Sequence, residues 1–352
     1  MDIDSLIKKN VEALYATREN TQLEFLSTGV LTLNLLFSGR IDGGIPLGKM
    51  AMMAAPSMLG KSLVGMHLVK SARKKGMSVL LIDTEKSFDF ELADALGIDI
   101  NNNEVTILQD NSIGNISKAY SVIKDAHDPE DRKNVFVIID SWGNILTSKV
   151  VADAAKGEEK GDMGGDAKMK NRLTRLMLGS GLTTFIINHI YTNPSGFGLG
   201  MEIPGGHGGI YNCGSIVLGT SRAKDEDSKK ELHGRIVTAM TFKSRYGKDG
   251  CQLKYRIKYD GKSGLDTFYG LLDDALEGGY VEKPANGRYT RPCVKDDKSQ
   301  FEKNIYNSEF WLPVFKNTDF KDYLEKKYTH NNDFALIEDE KALEEINAKE
   351  TA

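Results

Sequence analysis

Cysteine is scarce in this chain. Cys213, Cys251 and Cys293 are the only three in 352 residues. They are scattered and odd in number, which excludes a disulfide framework and the paired spacing of a thiolate metal site. A reducing compartment is the simple expectation. Long apolar runs are missing as well. No stretch approaches the roughly 18 consecutive apolar residues of a membrane span, and the opening "MDIDSLIKKNVEALYATREN" has no apolar signal core. A cytoplasmic protein without a membrane partner is expected. A positive excess is also absent, since the formal net charge is −4. That excludes nucleic-acid binding by bulk charge. It leaves a local basic groove open, because affinity follows phosphate contacts. There are no internal repeats and no low-complexity tract.

Apolar runs of strand length recur from about residue 30 onward: "KMAMMAA" (49–55), "SVLLIDTE" (78–85), "VFVIIDS" (135–141), "TTFIINH" (183–189) and "SIVLGTS" (215–221). Most are continuous rather than alternating, which suits strands covered on both faces of a parallel sheet. Helical segments lie between them, so an α/β layer fold is expected. The later stretches "RIVTAMTFKSR" (235–245) and "QLKYRIKY" (252–259) differ. In the second, Leu253, Tyr255, Ile257 and Tyr259 alternate with Lys254, Arg256 and Lys258, as in one arm of an antiparallel hairpin. Residues 5–18 read as a short amphipathic helix with Ile7, Val11 and Leu14 on one side. After residue 270 comes a smaller α+β region with helices at "GLLDDALEGG" and "FKDYLEKKY". The end, "EDEKALEEINAKETA", is acidic and lacks aromatics, the composition of a disordered tail. The reading is an arm over 1–29, a core over 30–270 and a small region over 271–352.

One motif carries chemistry. Residues 54–62, "AAPSMLGKS", nearly spell a phosphate-binding loop, with Ala55 where the first glycine belongs. The confirming context is strand, loop, helix. Lys49–Ala55 is strand-like, and from Lys61 the chain reads "KSLVGMHLVKSARKKG" with Val64, Leu68 and Ala72 at helical spacing. Free N–H groups and the dipole at a helix start bind phosphate. Gly60 gives the backbone room, Lys61 supplies a charge to the β/γ-phosphates, and Ser62 offers a hydroxyl to Mg²⁺. The plainer reading is a tight turn opening an ordinary helix. Asp140 weighs against it, because it ends the apolar run 135–139 as a Walker-B carboxylate does. Alone, Asp140 reads equally well as a helix cap. Glu85, at the end of another strand, is a candidate general base, with Asp83 as its competitor.

Taken together, these residues resemble the RecA-type recombinases, most of all the phage recombinases of the UvsX type. The stretches that carry the resemblance are "LSTGVLTLNLLFSGRIDGGIPLGKM" (26–50), "IDTEKSFDFELADALGID" (82–99), "FVIIDSWGNI" (136–145), "FIINHIY" (185–191), "FKSR" (242–245) and "YGLLDDALEGGYVEK" (269–283). They are collinear over residues 26–290, and the last 60 residues match loosely. The resemblance implies a RecA-like P-loop ATPase core with a mostly parallel sheet plus an antiparallel hairpin. It implies ATP and Mg²⁺ as cofactors and a DNA-dependent ATPase activity coupled to strand exchange in recombination and repair. Single- and double-stranded DNA and further copies of the chain in a helical filament are the implied partners. A loader and a single-stranded-DNA-binding protein are further ones. A phage-encoded protein of this kind works in the bacterial cytoplasm.

The resemblance also assigns residues. Ala55, Pro56, Ser57, Met58, Leu59, Gly60, Lys61, Ser62, Leu63 and Asp89 fall at nucleotide-binding positions, with Ser62 and Asp140 toward the metal. Glu85 is the residue that activates water. His189 falls where the family places a polar sensor of the γ-phosphate; without the resemblance it reads as a strand-end histidine. Lys243 and Arg245 match positions that reach ATP on the neighbouring subunit. Two glycine-rich segments, about 151–166 and 191–209, match DNA-binding loops. The first runs into a helix whose Lys168, Arg172 and Arg175 share one face, which by spacing alone is an ordinary exposed charged face. The second contains Phe197, Gly205 and Gly206, and Phe197 could stack on bases or merely pin the loop. Leu92 stands where bacterial members have an adenine-stacking tyrosine, and Phe88 and Phe90 are both in place to substitute. A hexameric helicase built on the same core is the rival reading. The long glycine-rich loop ending "PGGHGG" followed by "FKSR" resembles recombinases better.

Overall fold

The computed structural model describes residues 23–101, 104–147, 149–150, 153, 156, 163–192, 201–204, 207–226, 230–260 and 264–330. The expected N-terminal helix, most of both glycine-rich loops with Phe197, Gly205 and Gly206, and the acidic tail lie outside the described residues.

The frame is an eight-stranded sheet: β1 (Met50–Ala55), β2 (Ser78–Asp83), β3 (Val105–Leu108), β4 (Val135–Asp140), β5 (Thr183–His189), β6 (Ser215–Glu226), β7 (Leu232–Ser244) and β8 (Gln252–Lys258). Its order is β8-β7-β6-β1-β5-β4-β2-β3. The strands from β6 to β3 pair in parallel, and β6-β7-β8 form an antiparallel meander. The expected mostly parallel sheet with a hairpin is therefore present. The short edge strand β3 and the extension of β6 to Glu226 go beyond the sequence reading. Extension past Ser221 was hidden because that part is mostly exposed and polar.

Helices cover both faces. They are α1 (Leu31–Ser38), α2 (Lys61–Lys74), α3 (Phe90–Ala95), α4 (Ile113–Ala126), α5 (Met163–Ser180) and α6 (His207–Asn212), followed by α7 (Leu272–Glu277), α8 (Ser308–Asn317) and α9 (Phe320–Tyr328). The pleat of β1 explains why its apolar run is unbroken. Ala51, Met53 and Ala55 join one buried cluster with Val64 and Leu68 of α2. Met50, Met52 and Ala54 join the other with Tyr120 of α4 and Leu173 of α5. Successive side chains point to opposite faces, and both faces are dry.

The C-terminal segment closes onto the first of these clusters. Phe310, Trp311, Val314, Phe320 and Leu324 are all buried in it, and the Trp311 and Phe320 rings stack at 6.0 Å. Helix α8, which carries Phe310, Trp311 and Val314, was not expected from the sequence, whereas α9, which carries Phe320 and Leu324, was. Pro313 is the sixth of the ten residues of α8, so the Glu309 carbonyl loses its helical N–H partner; Arg291 Nη1 donates to that carbonyl at 2.9 Å instead.

Candidate nucleotide site and nucleic-acid interface

The parallel strands end together. Ala55 is in register with His189, and Asp83 with Asp140. The carboxyl edge of such a sheet is where α/β proteins bind ligands. The phosphate loop, both acids and His189 therefore share one edge.

Gly60 opens α2 with φ 78° and ψ 20°, a left-handed conformation that glycine adopts without strain. A Cβ there would also lie 2.7 Å from Ile257 Cδ1. The loop is braced from behind by the meander. The buried Tyr255 hydroxyl donates to the Leu59 carbonyl at 2.5 Å, and Arg222 Nη1 donates to the Met58 carbonyl at 3.3 Å. The alanine at position 55 is accommodated by its neighbour. A Cβ on Gly219 would lie 2.8 Å from the Ala55 methyl, so the space a first-position glycine leaves free is here given up by Gly219 on β6.

Lys61 is 7% exposed. Its Nζ donates to the carbonyls of Ala55 at 2.9 Å and Pro56 at 3.0 Å, which keeps the ammonium inside the arc of the loop. Burial lowers its pKa, while Asp140 and Glu85 oppose that shift. Asp140 is pushed up by burial, with the Glu85 and Asp83 carboxylates adding to the effect; the Ser62 hydroxyl bond and Lys61 pull it down. Asp140 and Ser62 thus pair two hard oxygens in a site where further positive charge is favourable. Among the described residues no group of three or more His, Cys, Asp or Glu could hold a metal alone. Mg²⁺ fits such a site, since it commonly takes one or two carboxylates plus substrate phosphates.

The competition between Asp83 and Glu85 is decided by geometry. Asp83 is 2% exposed. It accepts the backbone N–H groups of Glu85 (3.2 Å), Ser87 (3.1 Å) and Phe88 (3.0 Å) and the Gln109 amide (3.1 Å). It shapes the turn and has no free lone pair directed outward. Glu85 points to the edge. Its Oε1 accepts from Ser141 Oγ at 2.8 Å, Asn144 Nδ2 at 3.0 Å and His189 Nε2 at 3.1 Å. Burial pushes its pKa up, but the bonds from Ser141 and His189 and the charge of Lys61 outweigh burial, and the carboxyl sits below its usual range. Sequence reasoning missed Ser141 and Asn144 as partners of Glu85, although Ser141 directly follows Asp140 and Asn144 lies four residues after it. It also missed Tyr255 and Arg222, for which no local signal exists.

Asp89 caps α3, its carboxylate accepting from Leu92 N at 2.9 Å. It also lines a cleft of 70 Å³ with Ser62, Met66, Phe88, Leu92 and Asp140. Phe88 faces this cleft, whereas Phe90, packed edge-on against it at 4.9 Å, is 52% exposed. On α5, Lys168, Arg172 and Arg175 are all exposed on one face.

Lys243 and Arg245 lie elsewhere. Lys243 is in register with Ile216, which pairs with Met52 near the start of β1. Met52 lies about 10 Å along β1 from Ala55, at about 3.3 Å per residue. Arg245 N donates to the carbonyl of Gly214, whose own N–H donates to the Met50 carbonyl, so these residues sit toward the opposite edge from the loop. Lys243 Nζ donates to the carbonyls of Ile210 (2.9 Å) and Tyr211 (2.8 Å) near the end of α6.

Comparison with known proteins gives the same assignment. The family model for the RecA N-terminal domain matches residues 3–190, more than half of the chain. The chain belongs to the RecA family. A second model, for the C-terminal domain of the recombination and repair protein of bacteriophage T4, matches residues 268–324 of this RecA-family protein. The T4 recombination and repair protein itself is 27% identical over 343 residues, covering 93% of the chain and 84% of that protein. Protein RecA of Streptomyces coelicolor is 24% identical over 336 residues, covering 93% and 82%. The chloroplastic DNA repair protein recA homolog 1 of Arabidopsis thaliana is 31% identical over 101 residues, or 29% of the chain and 22% of that protein. Among the described residues of this RecA-family chain, no helix is long and apolar enough to cross a membrane.

Proposed function

We propose that this protein is an ATP-dependent DNA strand-exchange protein that assembles as a helical filament on single-stranded DNA. The observation that carries the reading is the convergence of Lys61, the Ser62–Asp140 pair and Glu85 on one sheet edge. It occurs in a chain aligned along 93% of its length with a recombination and repair protein. Mg²⁺, held by Ser62 and Asp140, would supply charge at the phosphates. The α2 N-terminus and Lys61 would bind and orient the phosphates. Glu85 is the carboxylate that would take a proton from water, and His189, bonded to it, would sense the far end of the nucleotide.

The far-edge position of Lys243 and Arg245 supports a shared site, in which they would reach ATP on the next subunit. A second feature suits a polymer. Strand β3 is a sheet edge, and beside it lies an apolar groove of 540 Å³ lined by Val79, Leu80, Leu108, Ala119, Val122 and Ile123. The amphipathic segment 5–18 of a neighbouring copy is the proposed occupant. Lys168, Arg172 and Arg175 are the proposed phosphate contacts, with Phe197, Gly205 and Gly206 in the second loop.

Electron microscopy with single-stranded DNA and a non-hydrolysable ATP analogue tests the reading. Open helical filaments are expected, and closed rings would support a helicase instead. The shared site has its own test. Lys243→Ala alone should lose on the order of a hundredfold in DNA-dependent turnover, as when one preorganised donor is removed. Mixed in equal amounts with Lys61→Ala, it should regain activity, because about a quarter of head-to-tail interfaces then hold both intact halves. No recovery on mixing would confine Lys243 to capping α6.

A further inference from the structure

Glu85 is held more tightly than a base needs. Three donors converge on one oxygen, Oε1, at 2.8, 3.0 and 3.1 Å. Hydrogen bonds to the charged form of a carboxylate stabilise that form, and they make it a weaker acceptor for a proton from water. A base pinned in this way needs release before it works well.

The donor Asn144 sits in the segment Trp142–Thr147, which is tied to the helix carrying the basic face. Lys170, on the inner side of α5, is 8% exposed. Its Nζ donates to the Gly143 carbonyl at a long 3.4 Å. One turn earlier, Asp166 accepts from the Thr147 hydroxyl. On the outer face of the same helix are Lys168, Arg172 and Arg175. The segment also meets the root of the second loop. Asn188 Nδ2 donates to the Pro204 carbonyl at 2.9 Å, and a Cβ on Gly143 would lie 3.6 Å from Asn188 Oδ1.

Lys170 is a buried ammonium whose hydrogen bond to the Gly143 carbonyl is long. Burial lowers its pKa, and the charge of Asp166 one turn earlier opposes that shift. Its placement makes sense if the bond is there to be changed.

We propose that Asn144 is a positioning residue that restrains Glu85 in the DNA-free protein, and that Lys170 transmits strand binding on α5 to it. Phosphate contacts on Lys168 and Arg172 displace α5, the Lys170–Gly143 bond shifts, and Asn144 withdraws from Glu85. The carboxylate, relieved of one donor, becomes the stronger base. This inference rests on the reading of the protein as a DNA-dependent ATPase, and the experiment separates the failure of one from the failure of the other.

The experiment measures ATP hydrolysis by the full chain with and without single-stranded DNA, for the unmodified protein, Asn144→Ala and Lys170→Met. Asn144 is exposed, so its truncation leaves the fold intact. The DNA-free kcat of Asn144→Ala should rise about tenfold, within the usual range of coupling between sites, with KM for ATP unchanged. The ratio of DNA-stimulated to DNA-free turnover should fall by the same factor. Lys170→Met should behave alike while keeping its affinity for the strand, and Lys170→Arg, which retains a donor, should restore the ratio. A merely structural role lowers turnover and cannot raise it. DNA-free kcat unchanged or reduced in Asn144→Ala would overturn the proposal, whatever the fate of Lys170→Met. Failure of the underlying reading looks different, because the unmodified protein would then show no stimulation by DNA.

Discussion

Lys61→Ala should reduce ATP turnover by at least about a hundredfold, the loss typical of removing one preorganised charge-stabilising donor. The ammonium is the positive charge within the loop itself, and it is held there by the Ala55 and Pro56 carbonyls. Burial makes its charged form costly, and Asp140 and Glu85 offset that cost. Alanine removes the charge and leaves two carboxylates facing each other. Binding of the nucleotide should weaken along with turnover, since the same charge serves both ground and transition state. A radiometric or coupled hydrolysis assay on the purified variant reads the effect, with circular dichroism to show that the fold is kept. Turnover near that of the unmodified protein would remove the loop from the proposed site.

Glu85→Ala should separate binding from chemistry. Turnover is expected to fall by about 10²–10⁴-fold, the usual contribution of a general base. ATP binding and filament formation on DNA should persist, because the phosphates are held by Lys61, the α2 N-terminus and the Ser62–Asp140 pair. Fluorescent-nucleotide titration and microscopy check those two properties alongside hydrolysis. The unmodified protein carries a related signature. The Glu85 carboxyl lies below its usual range, so the carboxylate is already ionised across neutral pH. Acid loss of turnover due to Glu85 should therefore begin below the ordinary glutamate range, and not above it. If the alanine variant instead fails to bind nucleotide, Glu85 holds the edge together through Ser141, Asn144 and His189, and the base is another group.

Much of the site was legible in the chain because its parts are local. A phosphate loop needs a strand, a tight turn and a helix start in immediate succession, and "KMAMMAAPSMLGKS" supplies them within a few residues of each other. The Walker-B acid is legible for the same reason, as the last residue of an apolar run. The strands themselves were recognisable because burial on both faces removes polar residues from the whole run.

Other features were settled only by packing. Asp83 and Glu85 are two residues apart on one strand end, and local pattern offers no way to rank them; only the family resemblance pointed to Glu85. The fold ranks them by making Asp83 the acceptor of three backbone N–H groups of a buried turn and of the Gln109 amide, and by leaving Glu85 at the edge. The tolerance of Ala55 depends on Gly219, and the brace on the loop depends on Tyr255 and Arg222, all distant in sequence. The separation of Lys243 from Lys61 follows from β7 running antiparallel to β6. The sequence by itself determined which groups are candidates for phosphate chemistry and that the core is a covered parallel sheet, since both depend on short-range pattern. Only the tertiary structure decided which acid is free, what restrains it and which edge each cation occupies, because those depend on contacts between strands and helices far apart along the chain.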